Sequence, residues 1–123
     1  MDGWQITSEE YEKMKKCGWK FLLIDIRCRQ QYNEEHIDGA VNMYLDEEKD
    51  ECLSPEYERI LSGYIRKGYR IVVYCNHGSL GMRCVRALRK HSIMAYNLYG
   101  GIEEYNKFNR YTIKNMLHKG END

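Results

Sequence analysis

Two nearly continuous apolar runs stand out in an otherwise strongly charged chain. They cover Phe21–Ile26 and Arg70–Tyr74, and neither shows the alternation of apolar and polar residues that a half-exposed strand needs. Runs of this length are typical of strands that helices cover on both faces, as in a central parallel sheet. Shorter strand patterns at Ala40–Met43 and Ala95–Tyr99 extend the predicted sheet.

Helical patterns separate these strands. Thr7 and Glu10 form a capping box at the start of a helix predicted over Ser8–Cys17. Pro55 occupies the first turn of the most regular amphipathic helix, whose apolar face is formed by Tyr57, Ile60, Leu61, Tyr64 and Ile65. Further helices are predicted over Gln30–Glu35, from Gly81 to about His91, and over Ile102–Phe108. Strands that alternate with helices predict an α/β domain with a mostly parallel sheet.

The length of 123 residues matches one compact domain. No repeat or linker interrupts the pattern, and we predict one domain over residues 1–108 followed by a helical extension or tail over 109–123. Asp46–Cys52 has too little apolar content to pack, which predicts an exposed loop, with a docking patch for a basic partner as the alternative.

Charge and composition exclude several classes of protein. The 19 basic and 19 acidic residues cancel, so no broad positive field favours nucleic acid or an anionic membrane. No apolar run approaches the roughly 20 residues of a membrane span, and the N-terminus lacks a signal pattern, which predicts a soluble protein. Five cysteines without a Cys-x-x-Cys pair favour reduced thiols in the cytoplasm. Four histidines without i, i+4 spacing give no support to a metal site.

The candidate chemistry lies where the second apolar run ends. Cys75 follows that strand directly, and a loop with Gly78 and Gly81 leads from it into a helix. Ligands of open α/β sheets bind at this edge, and backbone amides in such a loop, together with the helix N-terminus, stabilise an anion. The loop therefore predicts a nucleophilic thiolate at Cys75. The alternative is a small buried residue that merely ends a core strand.

Four stretches in order along the chain resemble the rhodanese-like domains. They are Leu23–Arg27, then Tyr32 with His36–Asn42, then Val72–Ser79, and finally Leu98–Tyr105. Together they span nearly the whole chain, roughly from Trp4 to Phe108, and the closest likeness is to small single-domain thiosulfate sulfurtransferases. The resemblance implies a single α/β domain with a mostly parallel five-stranded sheet and helices on both faces.

The resemblance also implies a reaction. Cys75 would take the outer sulfur of thiosulfate or of a persulfide donor, hold it as a persulfide, and pass it to cyanide or a thiol without any cofactor. The amides of the loop would stabilise the charged sulfur, with the Ser79 hydroxyl and a protonated His77 as additional contacts. The implied anion-binding loop comprises Asn76, His77, Gly78, Ser79, Leu80 and Gly81.

Several alternatives remain open at the level of sequence. Phosphatases and arsenate reductases of related fold use a Cys-x5-Arg loop, and Gly81 at the arginine position disfavours that chemistry. The resemblance implies that Asp25 and Arg27 brace the loops under the site rather than contact substrate. Cys28 is either a resolving thiol or an ordinary loop cysteine. A regulatory interaction module without catalysis and a protein-to-protein sulfur relay are the competing functions.

Overall fold

In the computed structural model, residues 3–44 and 54–121 are described, with side chains through residue 112. The elements alternate along the chain in this order: β1 Gln5–Ile6, α1 Ser8–Lys16, β2 Phe21–Asp25, α2 Arg29–Glu34, β3 Val41–Asn42, α3 Pro55–Arg66, β4 Arg70–Tyr74, α4 Ser79–Lys90, β5 Ala95–Leu98 and α5 Gly101–Glu121. The strands form one sheet in the order β1-β5-β4-β2-β3, and every pairing is parallel. The predicted α/β class is confirmed.

Helices cover both faces of the sheet, and the sheet separates the core into two layers. One layer packs Leu61 of α3 and the apolar face of α4 against β2, β4 and β5. The other packs Tyr11 of α1 and Ile102 of α5 against the opposite side of the same strands. The central strand β4 is buried from Ile71 to Tyr74 because it lies between these layers. Its carboxyl end therefore delivers Cys75 to a closely packed edge of the domain.

Two elements differ from the sequence prediction. The strand β1 was not predicted, because two residues carry no periodicity of their own. The C-terminal segment, predicted as a short helix followed by a helical extension or tail, forms one continuous helix, since no proline or glycine interrupts the chain near Phe108. The division into a domain and an extension at residue 108 remains a prediction.

The amphipathic helix α3 buries less of its apolar face than its periodicity predicts. Leu61 is fully buried, whereas Ile60 and Ile65 remain more than a third exposed. The predicted acidic loop at Asp46–Cys52 lies outside the described residues. No helix in the described ranges combines the length and apolar character that crossing a bilayer requires.

The first helix begins with the predicted capping box. The Thr7 hydroxyl accepts a hydrogen bond from Glu10 N at 3.1 Å, and the Glu10 carboxylate accepts one from Thr7 N at 3.0 Å. We expect Thr7→Ala to lower the free energy of unfolding by about 1 kcal/mol, measured by urea denaturation. Thr7→Ser keeps the acceptor oxygen and serves as the control. An unchanged midpoint for Thr7→Ala would show that the cap contributes no stability.

Candidate active site

Cys75 lies between the end of β4 and the start of α4, and only 4% of its surface is exposed. It packs with the apolar layer beneath α4, as the alternative interpretation of a buried core cysteine expected. Packing is not its only contact. The amide of Gly78 donates a hydrogen bond to Cys75 Sγ at 3.0 Å, and the amide of Gly81 donates a second at 3.3 Å.

These two donors come from a turn that the sequence makes possible. Gly78 adopts φ 110°, a left-handed conformation that side chains disfavour, and it stands at the N-cap position of α4. The 12 residues of α4 then direct their positive end toward the sulfur. A sulfur with two amide donors and a helix N-terminus is in an environment that stabilises a negative charge.

The first turn of α5 supports the same loop from the other side. Ile102 N donates to the Cys75 carbonyl at 2.9 Å, and Glu103 N donates to the Asn76 carbonyl at 3.3 Å. This approach requires a glycine at position 101, because a Cβ there would overlap the Cys75 carbonyl oxygen and lie 2.6 Å from Asn76. The pair of glycines at positions 100 and 101, where α5 begins, is therefore part of the support for the loop.

A buried ion pair lies under the loop at the end of β2. Asp25 is fully buried and Arg27 nearly so, and Arg27 Nη2 is 2.8 Å from Asp25 Oδ2. The guanidinium also donates to the Glu35 carbonyl at 2.6 Å and to Asn76 Oδ1 at 3.3 Å. Burial opposes the charge of Arg27, but the hydrogen bonds and charge of Asp25 outweigh it and raise the pKa of Arg27. The pair therefore connects the end of β2 with the Glu35 carbonyl and with Asn76 of the loop.

Other predicted site residues lie at the rim. His77 is exposed, and its Nδ1 is 2.5 Å from Glu103 Oε2, so a carboxylate is already its partner. Ser79 is exposed on the first turn of α4, and Leu80 packs partly against the core. Cys28 is half-buried at the N-cap position of α2, with its thiol 3.6 Å from Gln31 Oε1.

The thiols of Cys28 and Cys75 are both free, and no disulfide joins them. Among the described side chains, no three Cys, His, Asp or Glu groups lie close enough to hold a metal ion. The arrangement at Cys75 thus offers a buried sulfur, main-chain donors and a helix N-terminus.

A family model for the Rhodanese-like domain matches residues 7–108 of this sequence. The chain belongs to the rhodanese-like domain family. The resemblance seen in the sequence is thereby confirmed, and the matched region contains every predicted site residue from Asp25 to Gly81.

Two curated proteins resemble this rhodanese-like domain. "Thiosulfate sulfurtransferase PspE" of Escherichia coli is 31% identical over 81 residues, covering 66% of this chain and 70% of that protein. "Probable molybdopterin-synthase adenylyltransferase" of Porphyra purpurea is 23% identical over 97 residues. That match covers 79% of this chain but only 23% of the relative, so the likeness concerns a small part of the larger protein.

Solved structures share the fold. A human single-domain sulfurtransferase superposes with a TM-score of 0.64 at 20% identity, covering 85% of this chain and 96% of that one. A protein from Bacillus halodurans superposes with a TM-score of 0.68 at 21% identity, covering 86% and 73% of the two chains. At these identities the comparison establishes the rhodanese-like fold alone.

One polar residue that contacts the loop of this rhodanese-like domain was not predicted from the sequence. Asn97 on β5 is fully buried, and its Nδ2 donates to the Gly78 carbonyl at 3.2 Å and to Gln5 Oε1 at 3.1 Å. A signal existed, because asparagine is depleted from strands and this one stands inside an apolar stretch. Its position beside the loop depends on the pairing of β5 with β4, which a local pattern does not reveal.

Proposed function

We propose that this protein is a sulfurtransferase that carries sulfane sulfur as a persulfide on Cys75. The observation that carries the proposal is the pair of hydrogen bonds from Gly78 N and Gly81 N to Cys75 Sγ, at 3.0 Å and 3.3 Å. Main-chain donors fixed in this way stabilise a thiolate without a metal and need no rearrangement when charge moves onto the outer sulfur. The likeness to a thiosulfate sulfurtransferase supports the same assignment.

The proposed reaction has two balanced halves. In the first, the Cys75 thiolate attacks the outer sulfur of thiosulfate, the bond between the two sulfurs of thiosulfate breaks, and sulfite leaves with the electron pair. In the second, cyanide or a thiolate attacks the outer sulfur of the persulfide, and the Cys75 thiolate departs. The products are then thiocyanate or a new persulfide, and no proton or external electron is required with anionic reactants.

The residues around Cys75 would hold the loop still during both halves. Arg27 contacts both the Asn76 side chain and the buried Asp25 carboxylate. Amides in the first turn of α5 donate hydrogen bonds to the main-chain carbonyls of Cys75 and Asn76. Preorganised donors contribute to catalysis because they need no reorientation in the transition state. We therefore assign Asp25 and Arg27 a bracing role rather than contact with substrate.

The charge of the loop bears on the choice of sulfur donor. Residues 75–81 contain no arginine or lysine, and His77 is paired with Glu103. A thiosulfate dianion would therefore meet main-chain amides with little side-chain charge to hold it. The reacting –S–S⁻ group of a persulfide carries one negative charge where thiosulfate carries two, so it suits this loop better. A persulfide on a partner protein would make the reaction a sulfur relay.

Phosphatase chemistry is disfavoured by the same loop. The sixth residue after Cys75 is Gly81, so this position provides no guanidinium for bidentate hydrogen bonds to a phosphoryl group. The place that a side chain on residue 81 would occupy is filled by the Asn97 carboxamide. A transferred sulfur needs no such guanidinium when main-chain donors stabilise it.

Incubation of the purified protein with a sulfane donor and cyanide tests the proposal. We expect thiocyanate to form with thiosulfate, and to form faster with a persulfide such as glutathione persulfide because of the neutral loop. Denatured protein provides the baseline for the uncatalysed reaction. If neither donor yields thiocyanate above that baseline, the protein is not a sulfurtransferase of this kind, and the non-enzymatic interaction module becomes the better assignment.

A further inference from the structure

The buried carboxamide of Asn97 contacts two residues that bind the sulfur of Cys75. Asn97 lies in β5, directly across from Val73 of β4, and none of its surface is exposed. Together with Ala95 it faces the layer of the core that contains Cys75 and α4. It is a polar side chain in an apolar layer, where each polar atom needs a partner or a steric reason for its position.

The nitrogen of this carboxamide binds the loop directly. Asn97 Nδ2 donates to the carbonyl of Gly78 at 3.2 Å, while the amide of the same glycine donates to Cys75 Sγ at 3.0 Å. The Gly78 carbonyl also accepts the first hydrogen bond of α4, from Met82 N at 3.1 Å. Loss of the Asn97 donor would therefore loosen Gly78, whose left-handed backbone directs its amide at the sulfur.

The oxygen of the carboxamide lies against Gly81, the second residue whose amide donates a hydrogen bond to Cys75 Sγ. Asn97 Oδ1 is buried without a hydrogen-bond partner, and it lies where a side chain of residue 81 would begin. A Cβ on Gly81 would overlap this oxygen and stand 3.1 Å from Asn97 Cγ and 3.7 Å from Cys75 Sγ. The carboxamide thus leaves room only for glycine at position 81.

From these contacts we infer that Asn97 is the positioning residue of the sulfur-binding loop. Its nitrogen orients Gly78, and its oxygen sets the position of Gly81, so one side chain fixes both amides that bind Cys75. The inference rests on the proposed role of Cys75 as the nucleophile. It also explains specificity, because a carboxamide at position 97 excludes the arginine that a phosphate-binding loop would place at position 81.

The inference predicts that positions 81 and 97 are energetically coupled, which a double-mutant cycle measures. The readout is the rate at which iodoacetamide alkylates Cys75, followed by peptide mass mapping at one pH, well below the melting temperature of each variant. In the wild-type background, we expect Gly81→Ala to slow alkylation of Cys75 about tenfold. In the Asn97→Ala background, we expect the same substitution to slow it by less than about twofold. Equal factors in the two backgrounds would overturn the inference.

A second variant covers the case in which Asn97→Ala does not fold. Asn97→Leu has a similar size and no charge, but it has no donor for the Gly78 carbonyl, and we expect it to slow alkylation of Cys75 at least about fivefold. Alkylation at the wild-type rate would overturn the inference. Thr7→Ala is the matched control, since it removes the capping hydrogen bond between Thr7 and Glu10 and lowers stability through α1. A merely structural role of Asn97 would lower the melting temperature and leave the alkylation rate unchanged, as in Thr7→Ala.

This readout is separate from the proposed function. Alkylation requires no sulfur donor, so the coupling can be measured even if no thiocyanate is formed. Coupling without sulfur transfer would uphold the positioning role and reject the enzyme. Sulfur transfer without coupling would uphold the enzyme and reject Asn97 as its positioning residue.

Discussion

Cys75→Ser is expected to lower the rate of thiocyanate formation by about a thousandfold or more. A serine hydroxyl is largely un-ionised at neutral pH and cannot store sulfur as a persulfide, so both halves of the reaction lose their nucleophile. The substitution is nearly isosteric at a buried position, and the fold should survive. The measurement is the steady-state rate with a sulfane donor and cyanide, on protein whose circular dichroism matches the wild type.

Of two other cysteines, Cys17 provides the matched control for this prediction and Cys28 tests a separate role. Cys17 is exposed at the end of α1, and Cys28 lies at the start of α2. We expect Cys17→Ser to retain the wild-type rate. Cys28→Ser tests the resolving thiol, because a slower transfer to thiols with an unchanged rate to cyanide would assign Cys28 that role. Activity that survives Cys75→Ser would remove Cys75 from the reaction.

The largest loss of stability is expected from Asp25→Ala. The substitution leaves the guanidinium of Arg27 buried without its carboxylate, although that guanidinium now holds the Glu35 carbonyl and Asn76 in place. Removing one partner of a buried ion pair costs about 3–5 kcal/mol, which is a large share of the stability of a small domain. Urea denaturation should therefore show a much lower midpoint, and Cys75 should lose reactivity as the loop loosens.

An exposed ion pair of the same chain is the control for Asp25→Ala. Glu9 and Lys13 are 3.1 Å apart on α1 and both are well exposed, so Glu9→Ala should cost less than about 1 kcal/mol. If the two substitutions lower the free energy of unfolding equally, the pair under the loop does not brace it.

The central strands could be predicted from sequence because the local run of apolar residues indicates that they are buried. Phe21–Asp25 and Arg70–Tyr74 lie between two layers of helices, and only a continuous apolar run suits that position. The strand β1 was not predicted because its two residues form a strand only by pairing with β5, which lies far away in the sequence. Likewise, the exposure of Ile60 and Ile65 depends on how closely α3 approaches the sheet, which periodicity does not determine.

The candidate site shows the same division between local and long-range features. Cys75, Gly78 and Gly81 could be proposed from sequence because a strand, a glycine-bearing turn and a helix follow each other directly. The supports of that loop come from distant segments: Arg27 reaches Asn76, α5 reaches the Cys75 carbonyl, and Asn97 reaches Gly78. Such contacts follow from strand order and helix packing, and no spacing in the sequence specifies them.

The most direct test of the account is the mass of Cys75 after reaction with a sulfane donor. Wild-type protein is incubated with thiosulfate or glutathione persulfide without reductant, excess donor is removed, and the thiols are blocked and mapped by peptide mass spectrometry. The account predicts one additional sulfur, about 32 Da, on Cys75, and its loss on addition of cyanide. No added sulfur on Cys75 with either donor, or added sulfur only on another cysteine, would contradict the account.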